Sequence, residues 1–270
     1  GHSYDIESDT LEKIKDLSKK TVISQWFEDH LADTGPDFAS NRKKLLKYDN
    51  FVTSNFITTH PSTLDFLRKK KNFHYLPIPV DKNIEKLKIY ENNNQINDVF
   101  FSMSHGVNRG KLKRDKQDER HNFITDLITE CPNIIFDIYG YNNREPVWAE
   151  DFYKVIVNSK MALNLTRGKP LKYLTSNRIA SLIGNGLLTF IDKRTQLSNF
   201  FNGNEVIFYS GLEDLANKIN FYKSNDKKRI NVAKKGRRKY FDLFECQKVA
   251  NYIISKSFNR EISKKLKWMD

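Results

Sequence analysis

From residue 21 to residue 209 the chain alternates short apolar runs of strand length with longer segments of helical period, and this alternation narrows the possible folds more than any other feature. Strand-length runs occur at 21–27 (TVISQWF), 51–58 (FVTSNFIT), 73–76 (FHYL), 99–103 (VFFSM), 134–139 (IIFDIY), 161–166 (MALNLT), 187–191 (LLTFI) and 206–209 (VIFY). The intervening segments carry helix signals. Ser8 can cap a helix with Leu11, Ile14 and Leu17 on one face, Pro36 suits a first helical position, and Pro61 opens a third helix, PSTLDFLRKK. Further helices are expected near 115–130, 149–159 and 176–183, and the chain reads as helical from Leu212 to its end. Strands separated by helices pair in parallel, so the expected class is α/β with doubly wound parallel sheets of Rossmann type.

Residues 77–97 break the rhythm with PIPVDKN, a Lys/Glu stretch and the polar ENNNQIND, which read as a crossing between domains with a loose polar connector. A length of 270 residues exceeds one ordinary core of about 100–150 residues. Five strands after residue 98 describe a complete doubly wound domain, whereas the three before it describe the second half of a similar one. The expected layout is a truncated first domain at 1–80, a linker at 81–97, a second domain at 98–245, and carboxyl-terminal helices at 246–270 packing back toward the first.

Hydrophobic residues make up 39% and aromatics 13%, enough to fill real cores. No apolar stretch approaches the roughly 20 residues of a membrane-spanning helix. The opening GHSYDIESDT lacks the basic-then-apolar order of a signal peptide. Only two cysteines occur, Cys131 and Cys246, which favours a reducing cytoplasm, and six scattered histidines offer no zinc-ligand spacing. Lysine and arginine total 46 against 33 acidic residues, a net charge of +13. The densest basic runs, 227–239 (KKRINVAKKGRRK) and 264–267 (KKLK), fit a solvated helix face, an anionic membrane surface or nucleic acid. No RNA- or DNA-binding motif supports the last. In the first run Ile230, Val232 and Ala233 form a narrow apolar side, as expected of a helix packed with its charges outward.

In open parallel sheets ligands bind beyond the carboxyl ends of the strands, and this rule selects five loops. The loop after residue 103, SHGVNRGKLKR, offers His105, Gly106, Arg109 and Lys111 to a phosphate, or is simply a basic surface loop; it is neither a dinucleotide fingerprint nor a P-loop. The loop RGKPLKYLTSNRI places Arg167, Lys169 and Lys172 before a helix cap at Thr175 or Ser176, so cations and free helix N–H groups would converge on a diphosphate. Asn177 and Arg178 follow in the first turn, where a cation opposes the helix dipole and needs a reason to be present; pairing with a core carboxylate is the plainer one. Tyr139 and Gly140 end another strand and suit either a planar base or the core. Glu28, Asp29 and His30 follow the run TVISQWF, and His60 follows FVTSNFIT. Asp29 and His60 are the candidate general bases, with surface or capping roles as the alternative.

Taken together, MALNLTRG, LTSNRIASLIGNGLLTFID, LSNFFNGNEVIFYSGLEDLANKINFY and KKRINVAKKGRRKY resemble the carboxyl-terminal domain of GT-B-fold glycosyltransferases. The likeness is to the group-1-like branch related to spore maturation glycosyltransferases. Arg178, Gly184, Gly186, Glu205 and the segment 212–222 follow the order of that pattern. Upstream, WFED, FVTSNFITTHPSTLDFL and YLPIPVD resemble the end of the amino-terminal domain and its crossing. The resemblance implies transfer of a sugar from a nucleotide-activated donor, held by the carboxyl-terminal domain, to a glycan, lipid-linked or protein-linked acceptor. It implies His105 to Lys111 at the diphosphate, with Arg167, Asn177 and Arg178 gripping phosphates, and stabilisation of the leaving group without a metal or other cofactor. Many relatives bind the donor ribose through a Glu in the helix after the Arg, where this chain has Ser181. The expected setting is cytoplasmic, peripheral at the inner face of the membrane, in surface polysaccharide or glycoconjugate assembly. The alternatives are a catalytically silent GT-B-like binding module and, on charge alone, a nucleic-acid-binding protein.

Overall fold

A computed structural model describes residues 6–35, 37–103, 111–112, 116–117, 119–262 and 265–269. The first part comprises α1 (Ser8–Leu17), β1 (Ser24–Phe27), α2 (Phe38–Lys47), β2 (Ser54–Ile57) and β3 (Phe73–Tyr75). Its three strands pair in the order β1-β2-β3, all parallel, with Trp26 opposite Phe56 and Phe56 opposite His74. The second part runs β4 (Asn97–Ser102), β5 (Lys111–Leu112), β6 (Lys116–Gln117), α3 (Glu119–Glu130), β7 (Phe136–Tyr139), α4 (Ala149–Ile156), β8 (Ser159–Asn164), α5 (Asn177–Gly184), β9 (Leu188–Asp192) and β10 (Ile207–Tyr209). Helices α6 (Leu212–Ser224), α7 (Asp226–Phe244) and α8 (Cys246–Ser257) follow. Strands β4 and β7 to β10 form a parallel sheet in the order β10-β9-β8-β4-β7, and β5 with β6 makes a short antiparallel ribbon. The chain winds outward from β4 in both directions, which makes the β4–β8 boundary the point where strand order reverses.

Four expectations need correction. The segment PSTLDFLRKK forms two three-residue 3₁₀ turns, Pro61–Thr63 and Asp65–Leu67, with extended backbone at Leu64 between them. Leu64 and Leu67 are both buried in the first core across that break. Ser8 lies inside α1 with Glu7 flanking it, and only Leu11 is buried, while Leu17 is 87% exposed. The connector is not loose: Ile78, Val80, Glu85 and Ile89 are buried. Val80 takes a backbone hydrogen bond from Cys246 and gives one to the carbonyl of Phe244, so a segment that is polar in sequence is pinned between α7 and α8. Finally, helix ends at Ser257, and the tail returns as irregular chain in which Trp268 is 1% exposed and donates its indole N–H to the carbonyl of Leu243 at 2.8 Å.

One apolar cluster joins Phe56 and Tyr75 of the first sheet to Ile179 and Ile183 of α5, Tyr240 and Phe244 of α7, Tyr252 of α8, and Trp268. Each such side chain contributes about 1.5–3 kcal/mol on burial. Ser24 and Ser257 hydroxyls, 2.7 Å apart, tie β1 to the end of α8. The basic run lies on α7. Val232, Ala233 and Tyr240 face inward, Ile230 is half-buried, and Lys227, Lys228, Lys234, Lys235 and Arg238 face solvent. Gly236 lets α7 reach the backbone of the preceding turn, since a Cβ there would lie 2.1 Å from the carbonyl oxygen of Glu205. Among the described residues no helix is long and apolar enough to cross a membrane.

Candidate functional site

The site is built around Arg178. The Ser176 hydroxyl accepts from the backbone N–H of Ile179 at 3.3 Å and so caps α5, which decides between the two candidate caps. Thr175 is buried instead, its hydroxyl accepting from the N–H of Ile78 at 3.1 Å. From the first turn Arg178 reaches across the β4–β8 boundary. Its Nη1 donates to the carbonyl of Ser102 at 2.7 Å, its Nε to Oδ1 of Asn164 at 3.1 Å, and its Nη2 to the carbonyl of Leu165. The guanidinium also lies 5.0 Å from the Phe101 ring centroid. Neutral oxygens at the strand ends thus hold this cation against the positive end of α5.

A pocket of about 270 Å³ opens beside it. Its lining includes Val147, Trp148, Phe152 and Tyr153 from α4 and the chain leading into it, together with the cations Arg178 and Arg120. Ser102, Asn177 and Ser181 supply uncharged polar groups to the same lining. Arg120 also lines a smaller hollow with Thr166, Gly168, Asp192, Arg194 and Tyr209. There Asp192 binds Arg194 through both oxygens, and burial pushes the Tyr209 phenol well above its ordinary range. Arg120 carries the same signal as Arg178, an arginine in the first turn of a helix, which could have found it in the sequence. For Trp148 the available signal was an aromatic residue directly before the acidic helix start AED.

The loop 166–176 faces the first part of the chain, and most of its polar groups are engaged there. Arg167 pairs with Asp37 at the start of α2, and the N–H of Lys169 donates to the Thr34 hydroxyl at 2.9 Å. Gly168, at φ +70, sits so close that a Cβ would come within 3.1 Å of the Gly35 Cα. The carbonyl of Lys172 accepts from the His60 N–H at 2.9 Å and the Thr59 hydroxyl at 2.8 Å, while its ammonium lies 4.7 Å from the Tyr173 ring centroid. Asn177 donates to the Glu28 carboxylate at 2.9 Å.

His60 caps its own turn, with Nδ1 2.7 Å from the Ser62 hydroxyl and its ring edge-on to Tyr173. Asp29 lies half-buried in the bend after β1. Next to it, burial and then the positive charge of Arg167 bring the His30 pKa down to about 4, and His30 Nε2 has no hydrogen-bond partner among the described residues. Tyr139 is half-buried against Phe100 with the Arg144 guanidinium 3.7 Å from its ring centroid, and Gly140 adopts φ 76. His105, Gly106 and Arg109 lie outside the described residues, as do Pro36 and the side chain of Lys111.

The model of a family described as glycosyl transferase-like matches residues 116–255. No curated protein matches the chain. Among solved structures, HepE from Anabaena in complex with UDP superposes with a TM-score of 0.65 at 13% identity, covering 93% of this chain and 77% of that one. TarM from S. aureus, in a complex that includes UDP, gives 0.60 at 14% identity over 93% of this chain and 54% of its own. Sucrose-phosphate synthase from Thermosynechococcus elongatus gives 0.55 at 11% identity, covering 94% and 72%.

Proposed function

The chain belongs to the glycosyl transferase-like family, and from that premise we propose that it moves a sugar from a nucleoside-diphosphate donor, bound at the carboxyl ends of β4 and β8, to a glycan, lipid-linked or protein-linked acceptor on the side of β1 to β3. Its two parallel sheets have the GT-B fold. The observation that carries the reading is the position of Arg178, a cation at the strand-order reversal with a helix N-terminus behind it and a pocket in front. Bound UDP in HepE and TarM supports a nucleotide as the handle of the donor.

Departure of the diphosphate builds negative charge where the sugar–oxygen bond breaks. Arg178 and Arg120, the α5 N–H groups behind the Ser176 cap, and the Asn177 amide are preorganised to meet it, which lowers the barrier without a metal. His105, Gly106, Arg109 and Lys111 belong to the same proposal as diphosphate-binding residues. Arg167 and Lys172 act from the opposite side, where their partners Asp37 and Tyr173 hold them. Ser181 offers its hydroxyl to the ribose. Asp29 is the proposed base that takes the acceptor proton.

The test is a thermal-shift panel of UDP-, GDP-, dTDP-, ADP- and CMP-sugars with and without EDTA. A ligand at 100 times its dissociation constant stabilises by about 2.7 kcal/mol. Absence of a shift with every donor overturns the reading, and a shift abolished by EDTA overturns metal independence. The exposed lysines of α7 support peripheral contact with an anionic membrane, and failure to co-sediment with anionic vesicles at low salt removes that element.

A further inference from the structure

Resting on the donor reading above, the geometry points to Trp148 as the platform on which the nucleobase stacks, with the base lying against α4 and the diphosphate directed toward Arg178. The pocket brings three kinds of group together. Its lining combines the apolar side chains of Val147, Trp148 and Phe152, the cations Arg120 and Arg178, and the hydroxyls of Ser102 and Ser181. A ligand that carries a flat apolar group, hydroxyls and an anion matches that set, and a nucleoside diphosphate carries all three.

Trp148 is a large indole left 58% exposed at the lip of this pocket, where it loses the burial that normally stabilises such a side chain. The backbone holds it there. Ala149 adopts φ 48, a left-handed conformation unfavourable for a residue with a Cβ, while Trp148 itself is extended. This kink at the start of α4 is local strain located at the pocket edge. Tyr139, the other aromatic expected at the base, is not among the residues lining the pocket, and the Arg144 cation lies over its ring at 3.7 Å. Stacking on that covered face would require displacement of a guanidinium also paired with Asp137 at 2.6 Å. Trp148 requires no such displacement.

The experiment measures binding of UDP, GDP, ADP and inorganic pyrophosphate to wild type, Trp148→Ala and Trp148→Phe by calorimetry, with circular dichroism and Tm confirming that each variant folds. Stacking contributions of the usual size predict at least about a tenfold loss of affinity for the best nucleoside diphosphate in Trp148→Ala. Pyrophosphate binding should stay within about twofold, and most of the affinity should return in Trp148→Phe. Indole emission should be quenched by the nucleotide in wild type and not in Trp148→Phe, where Trp26 and the buried Trp268 remain. Equal nucleoside-diphosphate affinity in wild type and Trp148→Ala overturns the platform alone. Equal losses for nucleotide and pyrophosphate overturn it too, because the effect would then not belong to the base. A wild-type protein that binds none of the nucleotides overturns the donor reading and the platform with it.

Discussion

Asn177, in the first turn of α5, donates a hydrogen bond to the carboxylate of Glu28 at the end of β1, joining residues 149 positions apart over 2.9 Å. The contact links the two sheets at the mouth of the pocket and occupies an amide that a diphosphate would use. The carboxylate is therefore both a competitor for Asn177 and a negative charge near the proposed anion.

Glu28→Gln should tighten nucleotide binding by about two- to fivefold, the scale of an exposed pair, or ~0.4–1 kcal/mol. Calorimetry at low and high salt checks it. Affinity that weakens, or fails to change at low salt, would show that the amide does not serve the phosphates.

Arg178→Lys keeps the charge and loses the geometry, since one ammonium cannot span Ser102, Asn164 and Leu165 together. Thermal melts should register a loss of ~1–3 kcal/mol, and the donor-induced shift should disappear. A variant that melts normally and binds donor as wild type does would reduce Arg178 to a generic cation.

Asp29→Asn should leave donor affinity unchanged and suppress transfer by two or more orders of magnitude, on the order of 10²–10⁴ for loss of a general base. Unchanged turnover in a radiolabelled-sugar assay removes Asp29 from the mechanism.

Gly236→Ala adds a methyl group where a Cβ would lie 2.1 Å from the Glu205 carbonyl oxygen. Backbone on both sides must separate, and a loss of ~2–4 kcal/mol is expected by chemical denaturation. The exposed lysines of α7 are untouched, so vesicle binding should persist wherever the variant is folded.

Acid should destabilise the protein through His30 and His74, both with pKa values lowered to about 4 by burial, helped by Arg167 and Lys256 respectively. The unfolded chain binds these protons near the ordinary value of 6.5. Between about 6.5 and 4 the unfolded state therefore holds more protons, so the stabilisation is complete above that range and is lost as pH falls through it. The pair should account for roughly 2–4 kcal/mol after discounting for partial exposure. Melting curves from pH 7.5 to 4.5 should show the decline, and His30→Gln should flatten it.

The parts of this molecule that could be read from its sequence are those set by local chemistry. Ser176 and Arg178 stood out because a hydroxyl caps a helix and a cation opposes its dipole wherever the rest of the chain lies. The parallel strands followed from alternation alone. Other features depended on partners far away in the chain. Ile14 and Leu17 have helical spacing, but they stay 38% and 87% exposed. Leu64 and Leu67 sit three residues apart, a spacing that suits a helix and a pair of 3₁₀ turns equally, and the first core decided between them. For Arg167 the sequence supplied the charge but could not supply Asp37, which lies 130 positions away. The polar composition of the connector likewise concealed Val80, whose partners are in α7 and α8.

The hydrogen bond between Ser24 and Ser257 spans 233 positions, and the ring of Phe56 meets that of Tyr252. The strands β1 to β3 therefore leave the ribosome long before the helix that covers them has been made. Their apolar face must wait, in contact with solvent or a chaperone, through the synthesis of the whole second sheet. Closing so long a loop is slow and leaves strand edges open to mispairing in the interval. Early release of the nascent chain within α8 would leave a finished second sheet attached to a sticky, uncovered first one, a product fitted for proteolysis.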